Sequence, residues 1–554
     1  MPNLAEKGQD PNSLNKIVFP YPVCLGPVNG PNSCPAGQSS TTIPLSMVNP
    51  AAAAYLKDVY SHVPSPQNAL SDQLASNQSN QFNADQQIAR VDQTFNAVVS
   101  GFARLVHDSI PTVQGGGLFS PTAVPNVAQA STQNPGWNAA ASLTFVFSPT
   151  LLNQVVYGWS FDAITTKNTG QLAASNSPDV VNAITLPYAD AINNLPTLSF
   201  GASLGSLIAA GDYTDYSRNH GVFDNLTKIA GHHALKFGFV FNHYEKSESS
   251  SGNTSAMNSG TFSFTATPDT ALSNGSDPSA EWHQEYANFL LGNTTSFSQL
   301  SQNLIAHIFQ NEIEFYAQDD FHLRPNITLS YGLRYSLFRQ PTDGNNLATS
   351  FVPSRYSSSS APVIDNSGNI CTPQTLPCDG TAATNPNYDT LNGIILAGKT
   401  SPYGTAVTNQ ANLSLQPRFG FTWDPSGQGK MSVRGGYGVF TDSTPVNNVE
   451  QSVFANRPFV QTITIYNAPL NNPAFARSSN NSVTNLTANA KWHQPYTQQW
   501  DIDVQRELPY DLILDIGYYG SKGTHLMGAV DINEPQPGSY ATNPLIQNNP
   551  NFYC

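Results

Sequence analysis

Charged residues are scarce in this 554-residue chain: Asp, Glu, Lys and Arg together make up 11% of it, less than half the roughly 25% of ordinary soluble domains. Apolar residues do not fill the gap, since they stand at 39% with a mean hydropathy of -0.29. No apolar run approaches the ~20 residues of a membrane-spanning helix. Basic residues are in deficit too. Against 37 Asp and Glu there are 23 Lys and Arg, a net charge of -14, and this argues against nucleic acid as a partner. Cysteines number five. The start, Met1 to Lys7, lacks the basic and then apolar segments of an export signal. The length suits several soluble domains or one very large β-structure.

What fills the chain is neutral-polar and aromatic: 39 Gly, 41 Pro, 23 Tyr and 29 Phe, with abundant Asn, Ser, Thr and Gln. Disordered chains are also rich in Pro and Ser, but they lack these aromatics. A sheet with one face in lipid and the other in water averages to this composition. Four of the cysteines fall into two close pairs, Cys24 with Cys34 and Cys371 with Cys378, each in a Pro-, Gly- or Asn-rich stretch. They read as two local disulfides in an oxidising compartment, with free thiols as the alternative, because spacing alone does not establish closure. Neither pair has CxxC spacing or a nearby His for zinc. Cys554 is left over.

Residues 1–48 read as loop. Asn49 is a good helix cap, Pro50 suits the first helical position, and a helix is predicted to run on through Tyr60 until Pro64 and Pro66 end it. A period of two sets in weakly near residue 81 and clearly at 137. Trp137, Ala139, Ala141, Leu143, Phe145 and Phe147 alternate with small or polar neighbours, and Ser148-Pro149-Thr150 turns the chain into Val155, Tyr157, Trp159 and Phe161. The pattern returns in Leu235, Phe237, Phe239 and Phe241. It is cleanest in Ile327, Leu329, Tyr331, Leu333, Tyr335 and Leu337, set against Thr328, Ser330, Gly332, Arg334 and Ser336. Hairpins follow at 419–439 and 500–518. Alternation puts one set on one face and the other set opposite.

These strands run to about ten residues, enough for a tilted strand to cross a bilayer. Tight turns at 148–150, 230–233, 324–326, 424–430 and 506–510 alternate with long polar stretches at 165–215, 340–412 and 441–490, the asymmetry of outer-membrane barrels. A sandwich or propeller does not sort loop length by side in this way, nor place Tyr and Trp so often near strand ends. The expected fold is therefore all-β: a transmembrane antiparallel β-barrel, partial at about a dozen strands, with long extracellular loops. A loop-rich segment over 1–80, with a short helix near 49–62, precedes an incomplete barrel domain over 81–554.

Motifs for chemistry are weak. Gly201-Ala202-Ser203-Leu204-Gly205 matches a nucleophile elbow but lacks the parallel α/β context. Gly427-Gln428-Gly429-Lys430 lacks the first Gly and the Ser or Thr of a phosphate loop, and reads as a hairpin turn. His232 and His233 diverge on a turn with no third ligand. Asp319 and Asp320 face opposite sides of a strand and cannot share a proton. Arg334 and Arg434 lie on inward faces, where lumenal carboxylates are the expected partners. The reading is of a non-enzyme with no cofactor and no metal.

Several blocks, in order, carry a family resemblance: Asn49-Pro50-Ala51 with Tyr55-Leu56, Phe147 to Asn153, Tyr286 to Gly292, Phe315 to Phe321, Tyr331 to Tyr335, Pro417 to Asp424, Val433 to Gly438 and Gly517 to Leu526. Together they resemble the Oar-like branch of the TonB-dependent outer-membrane transporters over most of residues 49–535. The family-motif positions on the barrel are Tyr316, Gln318, Asp319, Asp320, Gly332, Arg334, Tyr335, Arg434, Gly435, Gly436 and Tyr437. Phe321 departs from the family's usual Trp. The resemblance implies outer-membrane lipid as a partner, and the TonB energy-transducing complex engaged through a plug absent from this chain. It also implies a small-molecule, sugar or peptide ligand held by the long loops, and uptake of that ligand. With about a dozen strands against the 22 of plugged transporters, the expectation is a piece of a longer gene product. The alternative is a surface adhesion or assembly protein on the same barrel, distinguished by whether a plug and TonB-engaging segment lie upstream.

Overall fold

The computed structural model describes residues 2, 6–9, 15–26, 34–66, 74, 77–115, 124–189, 192–201, 204–208, 211–251, 258–265, 280–364, 370–371, 384–475, 487 and 491–532. In chain order the elements that matter begin with β1 (Lys16–Cys24), β2 (Ser39–Pro44) and α1 (Pro50–Asp58). Next come β3 (Asp85–Thr94), β4 (Val99–Ser109), β5 (Pro135–Ser148), β6 (Leu151–Asn168), β7 (Thr197–Ser199), β8 (Tyr213–Ala230) and β9 (His233–Ser249). After them stand β10 (Thr261–Ser263), α2 (Ala280–Leu291), β11 (Ser296–Leu300), β12 (Ile305–Arg324) and β13 (Ile327–Phe338). The last are β14 (Leu415–Trp423), β15 (Met431–Thr441), α3 (Asn447–Ala455), β16 (Thr462–Tyr466), β17 (Tyr496–Leu508) and β18 (Leu512–Thr524).

Twelve long strands, β3 to β6, β8, β9, β12 to β15, β17 and β18, pair antiparallel as an up-and-down meander in chain order. They belong to a sixteen-stranded sheet whose other members are short. The sheet is not closed among the described residues: β3 and β18 are its edges. This is a barrel wall of the expected strand number. The apolar set read from alternation lies on its outer face. Phe147, Tyr157, Phe237, Phe315, Leu333 and Phe419 project outward and are exposed in the isolated chain, as side chains facing lipid must be. Among the described residues no helix is long and apolar enough to cross a membrane, which says nothing about crossing by strands.

The two ends of the wall differ. At one end the strands are joined by turns of two to seven residues. Gly231 takes φ +60 between β8 and β9, and Gly427 and Gly429 take φ +61 and +75 between β14 and β15, a region open to glycine without steric cost. The last turn sits at 509–511, with Glu507 and Leu508 still in β17. The other end carries the connections of 110–134, 169–212, 250–304, 339–414 and 442–495. Because β3 descends to a short turn before β4 climbs back, residues ahead of β3 also belong to the long-loop end.

That end is a folded layer rather than open loop. Residues expected to be loop form the β1–β2 hairpin, with Ile17 opposite Ile43. In α1, Asn49 Oδ1 accepts from Ala51 N at 2.9 Å and Pro50 opens the helix, as the sequence predicts. The helix stops at Asp58, two residues before the expected Tyr60, and a tighter turn over Tyr60–His62 follows. A second helix, α2, lies where the sequence shows only a family block. A four-stranded sheet, β7-β10-β11-β16, completes the layer. Tyr55, Tyr60, Phe264, Tyr286, Phe289 and Phe297 are fully buried at its centre, each worth about 1.5–3 kcal/mol of hydrophobic stabilisation. Cys24 and Cys34 are joined in a disulfide. Gln284 of α2 bonds both main-chain groups of Cys24, accepting from its N at 2.7 Å and donating to its O at 3.1 Å. Cys371 is also disulfide-bonded, while Cys378 and Cys554 lie outside the described residues.

Candidate functional site

Strand alternation fixes which side chains line the interior. Along β12 the inward set includes Glu312, Glu314, Tyr316, Gln318 and Asp320, and across the ladder on β13 stand Ser330, Gly332, Arg334 and Ser336. Arg334 forms an ion pair with Glu314, and its guanidinium lies 5.0 Å from the Tyr316 ring centroid. Ser336 Oγ donates to Glu314 Oε1 at 2.7 Å. Tyr316 OH donates to Asn225 Oδ1 at 2.6 Å, and a Cβ at Gly238 would fall 2.0 Å from the Tyr316 ring. Nearer the turns, Asp320 accepts from Lys236 Nζ at 3.2 Å, Ser330 Oγ at 2.7 Å and Gln318 Nε2 at 3.4 Å. On β15, Arg434 Nη2 donates to Asp503 Oδ1 at 3.0 Å and Gln505 Oε1 at 3.4 Å. Both arginines thus meet inward carboxylates, as their strand positions imply.

The remaining family-motif residues divide between the faces. Asp319 points outward near the turns, accepting from Tyr331 OH at 2.7 Å and lying 2.7 Å from His233 Nδ1, while the His233 ring stacks on Phe321 at 4.3 Å. Asp319 and Asp320 are separated by the sheet, as alternation requires. Tyr335 OH donates to Asn412 O at 2.8 Å and Tyr437 OH to Gln498 Oε1 at 2.9 Å, both on the outer side. The glycines are places where a neighbour lies flat on the wall. A Cβ at Gly332 would sit 2.9 Å from Ala317 O, at Gly435 2.6 Å from Phe421, and at Gly436 2.8 Å from Asp501 Oδ1.

Sequence reading missed a buried charge cluster. At the long-loop end of the inner wall, Lys246 of β9 pairs with Glu248, with Glu450 Oε2 of α3 at 3.0 Å and with Asp215 Oδ2 of β8 at 4.0 Å. Tyr213 OH donates to Glu248 Oε1 at 2.9 Å. Glu450 is fully buried and Lys246 is 9% exposed. One cation therefore serves three carboxylates. Burial, reinforced by the Glu248 carboxylate and opposed by Lys246, pushes Glu450 up to about 7. The partners are 204 residues apart, and neither stands out within its own segment. The long stretch at 441–490, expected to be polar loop, thus contains a helix that plugs a charge into the wall.

The weaker motifs resolve as local structure. Asp424 accepts from Ser426 Oγ at 2.6 Å and Gly429 N at 2.7 Å, and these bonds hold its carboxyl below the usual range. The Gly427-to-Lys430 run is therefore a hairpin turn organised by Asp424. Ser203 lies outside the described residues, and Gly201 N donates to Glu285 Oε1 at 3.0 Å.

Comparison with known proteins places this architecture. The family model for the outer membrane beta barrel domain matches residues 4–553. No curated protein matches. Among solved structures, the outer membrane transporter YddB from Escherichia coli is similar at 10% identity and TM-score 0.41, over 81% of this chain and 41% of that one. The ferric-catecholate import receptor Fiu from E. coli K12 follows at 11% and 0.38, over 79% and 50%. The FrpB iron transporter from Neisseria meningitidis stands at 11% and 0.36, over 80% and 53%. The chain spans about half the length of these structures, and likeness at this level carries no functional argument. The matched family, the lipid-facing alternation and the sided loops agree with one another: this chain belongs to the outer membrane beta barrel domain family, and its place is the outer membrane.

Proposed function

We propose that the chain is wall and outer mouth of a TonB-dependent transporter of the Oar-like branch, taking a ligand up across the outer membrane. The observation that carries the reading is the pairing of a charge-lined inner face with a folded loop layer at one end. A layer with its own hydrophobic core is a rigid scaffold on which exposed loops recognise a ligand. The inner face, with Arg334 and Arg434 paired to carboxylates, offers a polar path. Residues 1–80 act as part of that outer layer and residues 81–554 as the barrel domain. The free edges β3 and β18 pair with further strands, since an unpaired strand edge in lipid costs several kcal/mol per group. Neutral-polar and aromatic loop residues suit a small molecule, a sugar or a peptide.

The test is uptake in the native cell, comparing the gene deletion with its complement. Radiolabelled ferric chelate, oligosaccharide and peptide serve as probes, with and without a protonophore. At least one probe should accumulate only when the gene is present and the inner membrane is energised. Equal accumulation of all three in the deletion strain would sink the transport reading, and a gene-dependent loss of cell adhesion instead would favour the surface-assembly role.

A further inference from the structure

Where the long-loop end meets the lipid-facing surface, the wall is indented. A cavity of about 660 Å³ lies against the outer faces of β14, β15 and β17. Its floor is wall, formed by Leu415, Tyr437 and Val439, all outward positions. Its rim is loop, formed by Trp492, His493 and, just past the end of β18, His525. The two imidazoles stack at 5.1 Å between centroids, and Tyr496 meets His525 edge-on at 5.9 Å. β15 leaves the short turns at Met431 and ends at Thr441. A tilted strand of about that length spans the hydrocarbon, which puts the cavity at the outer polar–apolar boundary.

Two further features say what fills it. Among the described residues the lining contains no Asp, Glu, Lys or Arg, so in a chain of net charge -14 no described lining residue places a carboxylate against an anion there. Beside it, Lys522 stands directly opposite Gln498 in the β17–β18 ladder. Paired residues project to the same face, and Gln498 lines the cavity, so the exposed Lys522 ammonium is set at its edge. An apolar floor continuous with the lipid-facing surface, under a rim of ring N–H donors and one cation, matches one ligand class. We propose that the cavity is a site for an anionic, phosphate-bearing lipid of the outer leaflet. One acyl chain lies along Leu415 and Val439, and the phosphate meets His493, His525 and Lys522. The site rests on the outer-membrane placement and is independent of the transport reading.

The experiment is native mass spectrometry of the protein extracted from its own outer membrane in mild detergent, then offered equal phosphatidylglycerol and phosphatidylcholine. The wild type should retain phosphatidylglycerol in preference by about fivefold, the effect of one surface cation on an anionic lipid. Lys522→Gln should remove that preference, and Trp492→Ala should lower retention of both lipids. Heat-modifiable migration on gels checks that each variant is folded. Equal retention of the two lipids by wild type, retention of neither, or an unchanged preference in folded Lys522→Gln overturns the proposal. The wild-type competition decides the matter even where a variant fails to assemble.

Discussion

The two ends of the wall solve the same problem, reversing the chain, in opposite ways. At the turn end a Gly-His pair or a Pro-Asn pair reverses it within two residues, and stability there comes from the strands. At the loop end the connections build a layer with its own aromatic centre, its own sheet and a helix that inserts a carboxylate into the wall. The difference teaches that the loop end is stabilised by burial and the turn end by backbone pairing. Mutations should therefore separate them.

The largest effect is expected at the aromatic centre. Phe289→Ala should cost the layer about 3–5 kcal/mol, seen as protease cleavage between residues 170 and 300 while the wall keeps its heat-modifiable mobility. If wall and layer fail together at one denaturant concentration, the two ends are not separable. Lys246→Met comes next. It leaves Glu450 and Glu248 buried without their cation, a loss of about 3 kcal/mol or more. Arg434→Gln is the control at the other end, where the Arg434 side chain is 47% exposed. That change should cost no more than about 1 kcal/mol.

Acidity sharpens the comparison further. Glu450 titrates near 7 in the folded layer and near the ordinary glutamate value of about 4.3 when unfolded. A raised carboxyl holds its proton more tightly in the folded state, so its contribution is full below pH ~4.3 and disappears as pH rises through about 7. Hydrogen exchange over 447–455 should quicken across that window, and Glu450→Gln should flatten the response. A wild-type profile without slope there would refute the assignment. The smallest effect belongs to the cap. Asn49→Ala should lower layer stability by about 1 kcal/mol, read as a modest drop in the melting temperature of the layer alone.

The sequence made the wall legible where one face is purely apolar. β13 and the β5–β6 hairpin show this, and their outward sets are the ones read from alternation. β8 and β12 show no such alternation because both of their faces mix, and β12 was legible only through its family block and the Asp319-Asp320 pair. β8 puts Arg218, Asp224 and Lys228 outward among Tyr216, Val222 and Leu226, and β12 puts Asn311 and Asp319 outward among Ile313 and Phe315. The loop layer was hidden for another reason. Its core is assembled from short apolar pieces of five separate segments, none periodic over enough residues to announce itself. The Cys24–Cys34 clip was legible because it is local. The Lys246–Glu450 pair was not, because nothing in either segment marks the other as its partner.

One contact in the layer reaches beyond it. Asn49 N donates to Leu290 O at 2.8 Å, and a Cβ on Gly292 would strike the Asn49 amide at 2.2 Å. Asn49 Nδ2 also reaches Asn471 Oδ1 at 3.4 Å. Asn49 precedes one edge strand, Gly292 belongs to the span between β9 and β12, and Asn471 to the span between β15 and β17 beside the other edge. Hydrogen bonds within an open sheet do not set the distance between its two margins. This crossing of three segments does, as a tie rod fixes the span of an arch, and it holds the two margins at one separation.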